Sequence, residues 1–264
     1  MTSQQILDNE ALNNEDIVTE LDISHLEIED DTPVDNFQSA QQQRLLVESL
    51  YSGRALPLPF VAEANVGLFY KLKGDPIVPD VMLSLGVQRA ADYSNRRDRS
   101  YFVWEFGKVP EVCIEIVSNQ EGDEVTLSQK SQQKGKTLTK KAIYAQIGVR
   151  YYVVFDPLQQ IQGQDAMNGA FLRVWMISPT GYQELTPSEG LASPGQSLWL
   201  EGAGVGLTLW EGQFEEEVTR LWLRWCDQDG QVISTGAERA DKWAERADQL
   251  AERLRAAGID PDEV

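Results

Sequence analysis

Histidine and cysteine are nearly missing from this chain: among 264 residues there is one histidine, His25, and two cysteines, Cys113 and Cys226. A single imidazole excludes a histidine-rich metal site and a Ser-His-Asp triad, and two thiols give neither a disulfide framework nor a cysteine-based zinc site. Any metal must therefore be held by oxygen. No run approaches the roughly 18 consecutive apolar residues of a membrane span, and no basic stretch followed by an apolar one opens the chain, so the expectation is a soluble protein of the cytoplasm. Apolar residues make up 42% and charged residues 25%, ordinary globular usage.

Lys and Arg are absent from the first 40 positions, which carry eleven acids. Residues 207–264 contribute a further −7, and the stretch 41–206 between them is nearly neutral at −1, although the whole chain stands at −19. A strongly acidic protein is a poor match for phosphate backbones, whose binding rests on Lys and Arg displacing counterions, but here the acidity sits in the ends. The expected organisation is an acidic, disordered tail over 1–40, a core domain over 41–206 and a C-terminal extension over 207–264.

Within the core, short β-branched and apolar runs at 65–72, 77–85, 100–105 and 112–118 are separated by Gly, Pro, Asn and Asp, the pattern of a strand meander. The stretch 126–147 turns helical in its later part, with Gly148 placed to end the helix. Residues 151–155 read as a strand closed by Asp156-Pro157, and 171–177 with 181–185 as a hairpin. Strands before and after a helix predict an α/β domain with a mixed sheet. Beyond it, residues 237–257 repeat with period seven and place Ala240, Trp243, Ala247, Leu250 and Leu254 on one seam. That seam fits either a coiled-coil homodimer or an amphipathic helix lying on its own core.

Two acids sit inside apolar strands, where an unpaired carboxylate is costly. Asp80 follows Ile77-Val78-Pro79, and Glu115 lies in Glu111-Val112-Cys113-Ile114-Glu115-Ile116, where period two puts Glu111, Cys113 and Glu115 on one face. If the two strands are neighbours, their carboxylates meet, and at about 4 Å they repel by roughly 4 kcal/mol at an effective dielectric near 20. A bound cation or a raised pKa relieves that repulsion. Bland readings stand beside this one. Asp80 suits a turn, Glu111 a solvated strand start, Ser118 and Asn119 a turn after the strand, and Arg96, Arg97 and Arg99 a solvated loop as well as a phosphate track.

The order Pro79-Asp80, then Glu115-Ile116-Val117-Ser118, then Lys140 four residues before Tyr144, then Gly148-Val149-Arg150-Tyr151-Tyr152 resembles the Uma-type family of candidate restriction endonucleases. Ala64-Asn65-Val66-Gly67, Trp104-Glu105-Phe106-Gly107-Lys108, Gly206-Leu207-Thr208-Leu209-Trp210 and Trp222-Leu223-Arg224-Trp225 extend the similarity over about 58–260 as a long form with a helical tail. The resemblance implies a PD-(D/E)XK fold, a mixed central sheet flanked by helices. It further implies Asp80, Glu115 and the Ile116 carbonyl as ligands to Mg²⁺ or Mn²⁺, DNA as partner, and Lys140 supplying the ammonium that the usual motif carries two residues after the Glu, where this chain has Val117. The segment before Lys140 is longer than usual and contains Lys130, Lys134 and Lys136, so Lys140 and Lys141 both remain candidates. A catalytically silent interaction protein built on the same fold is the alternative function. A glycosidase with Glu115 and Asp80 as its acid pair is a third.

Overall fold

The computed structural model describes residues 36–120 and 138–261. Its centre is a six-stranded sheet ordered β1-β3-β5-β6-β7-β8, formed by β1 (Phe60–Ala64), β3 (Val81–Leu85), β5 (Val112–Ile116), β6 (Tyr151–Phe155), β7 (Leu172–Ser178) and β8 (Gly181–Glu184). Only β5 and β6 pair in parallel; the other neighbours are antiparallel. A parallel pair needs a crossover, and this one carries α3 (Lys140–Ile147). A second sheet, ordered β11-β10-β9, consists of β9 (Ser197–Leu200), β10 (Val205–Gln213) and β11 (Thr219–Cys226). The short β2 (Leu68–Phe69) and β4 (Tyr101–Phe102) pair in parallel, and α2 (Val103–Phe106) follows β4 directly, so the run expected as one strand at 100–105 is extended only at its start.

Strand alternation divides the core in two. Val81, Leu83, Val112, Ile114, Ile116, Val153, Phe155, Leu172 and Val174 point to one face and join Leu207, Leu209, Leu223 and Trp225 of the second sheet. Met82, Cys113, Tyr152, Val154 and Trp175 point to the other, where Tyr144 of α3 and Val149 close over them. Because β10 and β11 supply the lid of the first face, the expected boundary at 206/207 falls inside β10, within one continuous core.

The helix α1 (Phe37–Gly53) has no counterpart in the sequence reading, and its first residues fall within the segment expected to be a disordered tail. Its composition, rich in Gln and Ser, conceals burial that depends on pairing rather than on apolarity. The Gln42 amide donates to the Leu223 carbonyl at 2.8 Å and accepts from the Leu223 N–H at 3.0 Å, so a side chain completes the β11 backbone. Asn36 caps the helix by accepting from Ser39 N at 2.9 Å, and Leu46 and Leu50 enter the first core. In α3, Thr139 caps by accepting from Ala142 N, and Gly148 ends the helix with φ +86°, a left-handed conformation that favours glycine.

The heptad segment forms α4 (Gly236–Ala256), opened by a capping box between Thr235 and Glu238. Glu238 also forms a bidentate pair with Arg224, which is 1% exposed, at 2.8 and 3.0 Å, so the first turn is anchored in the core. Beyond Lys242 the helix is largely exposed, with Trp243 62% and Leu250 58% exposed, so the large side chains at the middle of the seam do not lie on the protein's own core. Among the described residues no helix is long and apolar enough to cross a membrane.

Candidate active site

Pairing register brings the two strand acids together. Val81 faces Ile114 and Ala64 faces Val81, so one step outward along the same ladders Asp80 lies between Asn65 and Glu115. Glu115 in turn faces Val154. The row Asn65, Asp80, Glu115, Val154 runs across four strands at the rim of the second face.

Each carboxylate in this row is held from two directions. Asp80 Oδ2 accepts from Ile116 N at 2.6 Å, and Oδ1 accepts from Gln43 Nε2 at 3.2 Å. Gln43 is fixed by Asn65, whose Nδ2 donates to Gln43 Oε1 at 2.9 Å. Glu115, 1% exposed, accepts from Lys140 Nζ on Oε2 at 2.8 Å and from the Tyr144 hydroxyl on Oε1 at 2.7 Å. Lys140 and Tyr144 are four residues apart on α3 and so share a face, which lets one helix grip both oxygens. Lys140 Nζ also donates to the Val78 carbonyl at 3.0 Å, tying α3 to the segment that leads into Asp80.

Burial pushes the Glu115 carboxyl up to about 8; Lys140 opposes that rise and the charge on Asp80 adds to it. Burial also drives the Tyr144 phenol well above its ordinary value, with Glu115 contributing, so it remains a donor at neutral pH. The neighbouring lysines differ in their contacts. Lys140 faces Glu115, whereas Lys141 Nζ lies 3.8 Å from the Trp175 ring centroid, with burial lowering its pKa to about 8.

Other candidates lie elsewhere. Glu111, at the opposite end of β5, accepts from Leu85 N at 2.8 Å and pairs with Lys108, a fastening for the end of β3. The Ser118 carbonyl accepts from Asn36 Nδ2 at 3.4 Å, linking the end of β5 to the start of α1. Arg96, Arg97 and Arg99 form a 3-10 turn before β4, and Lys130, Lys134 and Lys136 lie outside the described residues. Sequence reasoning did not find Gln43 or assign a contact to Tyr144 and Asn65. The Lys140–Tyr144 spacing was a usable signal for the phenol, whereas Gln43 lay in a segment without a recognised element.

The donor set consists of two carboxylates from adjacent strands, with no His or Cys ligand, which suits a hard cation. Among the described residues no three His, Cys, Asp or Glu side chains gather into a larger cluster.

No curated protein matches the chain. A solved structure described as a "putative nuclease belonging to DUF820 from Anabaena variabilis" is similar at 16% sequence identity and a TM-score of 0.37, covering 64% of this chain and 74% of that one. The family described as "Uma2: Putative restriction endonuclease" matches residues 7–162, more than half of the chain, including the strands and helix that carry Asp80, Glu115 and Lys140. With its mixed sheet, flanking helices and this match, the chain is a member of the Uma2 family and has a restriction-endonuclease-like α/β fold.

Proposed function

We propose that this protein is a metal-dependent endonuclease of the cytoplasm that hydrolyses DNA phosphodiester bonds, with Asp80, Glu115 and Lys140 as its catalytic residues. The observation that carries the reading is Glu115: a carboxylate 1% exposed, register-paired with a second acid and gripped by an ammonium, is an expensive arrangement for a structural role. Asp80, Glu115 and the Ile116 carbonyl would hold Mg²⁺ or Mn²⁺. Such an ion polarises a phosphate and lowers the pKa of a bound water.

The chain's own contributions follow from the contacts. Ile116 N and Gln43 fix the two oxygens of Asp80, so the carboxylate is oriented before any ligand arrives. Tyr144 holds one oxygen of Glu115 from the buried side. Lys140, 18% exposed in its side chain, reaches the site from α3 and is placed to stabilise charge developing on a phosphate. The same reading includes a homodimer through the exposed Trp243 and Leu250 stripe of α4.

The test is nicking of plasmid DNA. Cleavage should require Mg²⁺ or Mn²⁺ and fall to background in both Asp80→Ala and Glu115→Ala. Persistence of wild-type rates in both variants would place the chemistry elsewhere.

A further inference from the structure

Two residues beyond Asp80, on the same face of β3, Met82 lines a cavity of about 290 Å³ that the catalytic reading does not use. Its other walls include Tyr93, Phe106, Arg99, Glu63 and Arg89. Phe106 stacks on Tyr101, with ring centroids 4.2 Å apart and planes inclined by 8°. Tyr93 is 50% exposed, yet its segment is braced: Arg99 Nε donates to the Tyr93 carbonyl at 2.8 Å, and Ser94 N donates to Asp92 Oδ1 at 2.8 Å. Glu63 and Arg89 form an ion pair at the cavity wall, placing an acceptor and a donor side by side. The 3-10 turn beside it carries the exposed Arg96 and Arg99.

Aromatic walls with a polar rim of both signs suit a flat heterocycle that stacks on its faces and hydrogen-bonds at its edge. The distance points the same way. Two strand residues span about 7 Å, close to the reach from phosphate to base within one nucleotide. A base over Met82 would put its own phosphate within reach of Asp80, two residues along the same face. A base paired inside a duplex cannot extend so far from its stack; only an extruded or single-stranded one can.

We propose that this cavity binds one unpaired nucleobase of the strand whose phosphate is cleaved, so that the substrate is single-stranded DNA or a duplex opened at that nucleotide. The proposal rests on the nuclease reading and adds the form of the substrate to it.

The experiment measures binding by the full chain, without added divalent metal, to three probes of equal length: a single-stranded oligonucleotide, its fully paired duplex, and an abasic strand with the same sugar-phosphate backbone. The base-bearing single strand should bind tightest, exceeding the abasic strand by about tenfold. Tyr93→Ala should remove most of that preference while leaving abasic-strand affinity unchanged, and Tyr93→Trp should keep it. Equal wild-type affinity for the base-bearing and abasic strands would overturn the proposal, as would Tyr93→Ala weakening both equally, which is the behaviour of a phosphate track. Cleavage assays separate the two layers. Cleavage without base-dependent binding removes the cavity from the account, whereas base-dependent binding without cleavage in any metal removes the nuclease and leaves a nucleic-acid-binding cavity.

Discussion

The two faces of the six-stranded sheet come from the same strands and behave as different materials. One face of β5 presents Val112, Ile114 and Ile116 to a hydrocarbon layer closed by α1 and the second sheet. The other presents Cys113 and Glu115, beside Tyr152 of β6 and beneath Tyr144 of α3. The first gains stability from every residue, at roughly 25 cal/mol per Å² of apolar surface removed from water. The second carries a carboxyl group that burial disfavours in its ionised form, an effect that Lys140 and Tyr144 oppose. Period two allows the separation, because alternate residues of β5 serve the core (112, 114, 116) and the site (113, 115).

The widest divergence between the faces should be in activity. Lys140→Ala on the site face is expected to slow cleavage per folded molecule by a factor of order 10²–10³, and to lower the melting temperature as well, because it removes the ammonium that offsets the burial of Glu115. Lys141→Ala, its neighbour over Trp175, should leave the rate within a few-fold of wild type, since that ammonium faces away from Glu115. Single-turnover rates decide the matter, and a larger loss in Lys141→Ala would reverse the assignment. On the opposite face, Leu46→Ala should cost about 2–5 kcal/mol in denaturant unfolding, as fully buried leucines do, while the folded fraction cleaves at the wild-type rate. A rate loss beyond that expected from unfolding would show that the faces are coupled.

A smaller effect is expected from pH. The Glu115 carboxyl is raised by burial from its ordinary value of 4.5 to about 8, so between those values the native state keeps a proton that the unfolded chain has released. Stability from this group is full below the unfolded value and is lost as pH rises toward about 8. Glu115→Gln should flatten that fall in urea midpoints measured without metal. Because ligation requires the proton to leave, Mg²⁺ affinity should rise over the same interval. A wild-type stability profile parallel to that of Glu115→Gln would contradict this account.

Strand β6 was read with its observed bounds, and the hairpin β7–β8 and the end of α3 at Gly148 to within a residue, because short apolar runs closed by Asp-Pro or Gly state their limits locally. Asp80 and Glu115 were recognisable as polar intrusions into such runs. Their register was not, since ladder pairing depends on residues more than thirty positions apart. The helix α1 escaped for a different reason: Ser39, Gln41, Gln42, Gln43 and Ser49 are buried through specific hydrogen bonds or tight packing, and a pattern of apolar positions does not register them. Gln43, which orients Asp80, was lost with the helix. Strands β9, β10 and β11 have no counterpart in the sequence reading either, although segments of β10 and β11 carry part of the family resemblance.

The least disruptive change should be removal of the end of α4, and it completes the contrast between buried and exposed apolar surface. Cutting after Thr235 would remove Glu238 and leave Arg224 as an unpaired buried charge, confusing association with misfolding. Cutting after Lys242 keeps that pair and the capping box and removes Trp243, Leu250 and Leu254. Since residues 240–250 are all exposed in the single chain, the melting temperature of a dilute sample should hardly move. Mass should respond instead. If the seam joins two copies, light scattering should give a dimer for the full chain and a monomer for the shortened one. Its stability should be modest, because Ala240 and Ala247 bury little area and Arg239, Arg246 and Arg253 line one flank without acids on the other, where Ala237, Ala244 and Ala251 stand. An unchanged mass after the cut would remove α4 as the association element, and a monomeric full chain would leave its exposed stripe to a different partner.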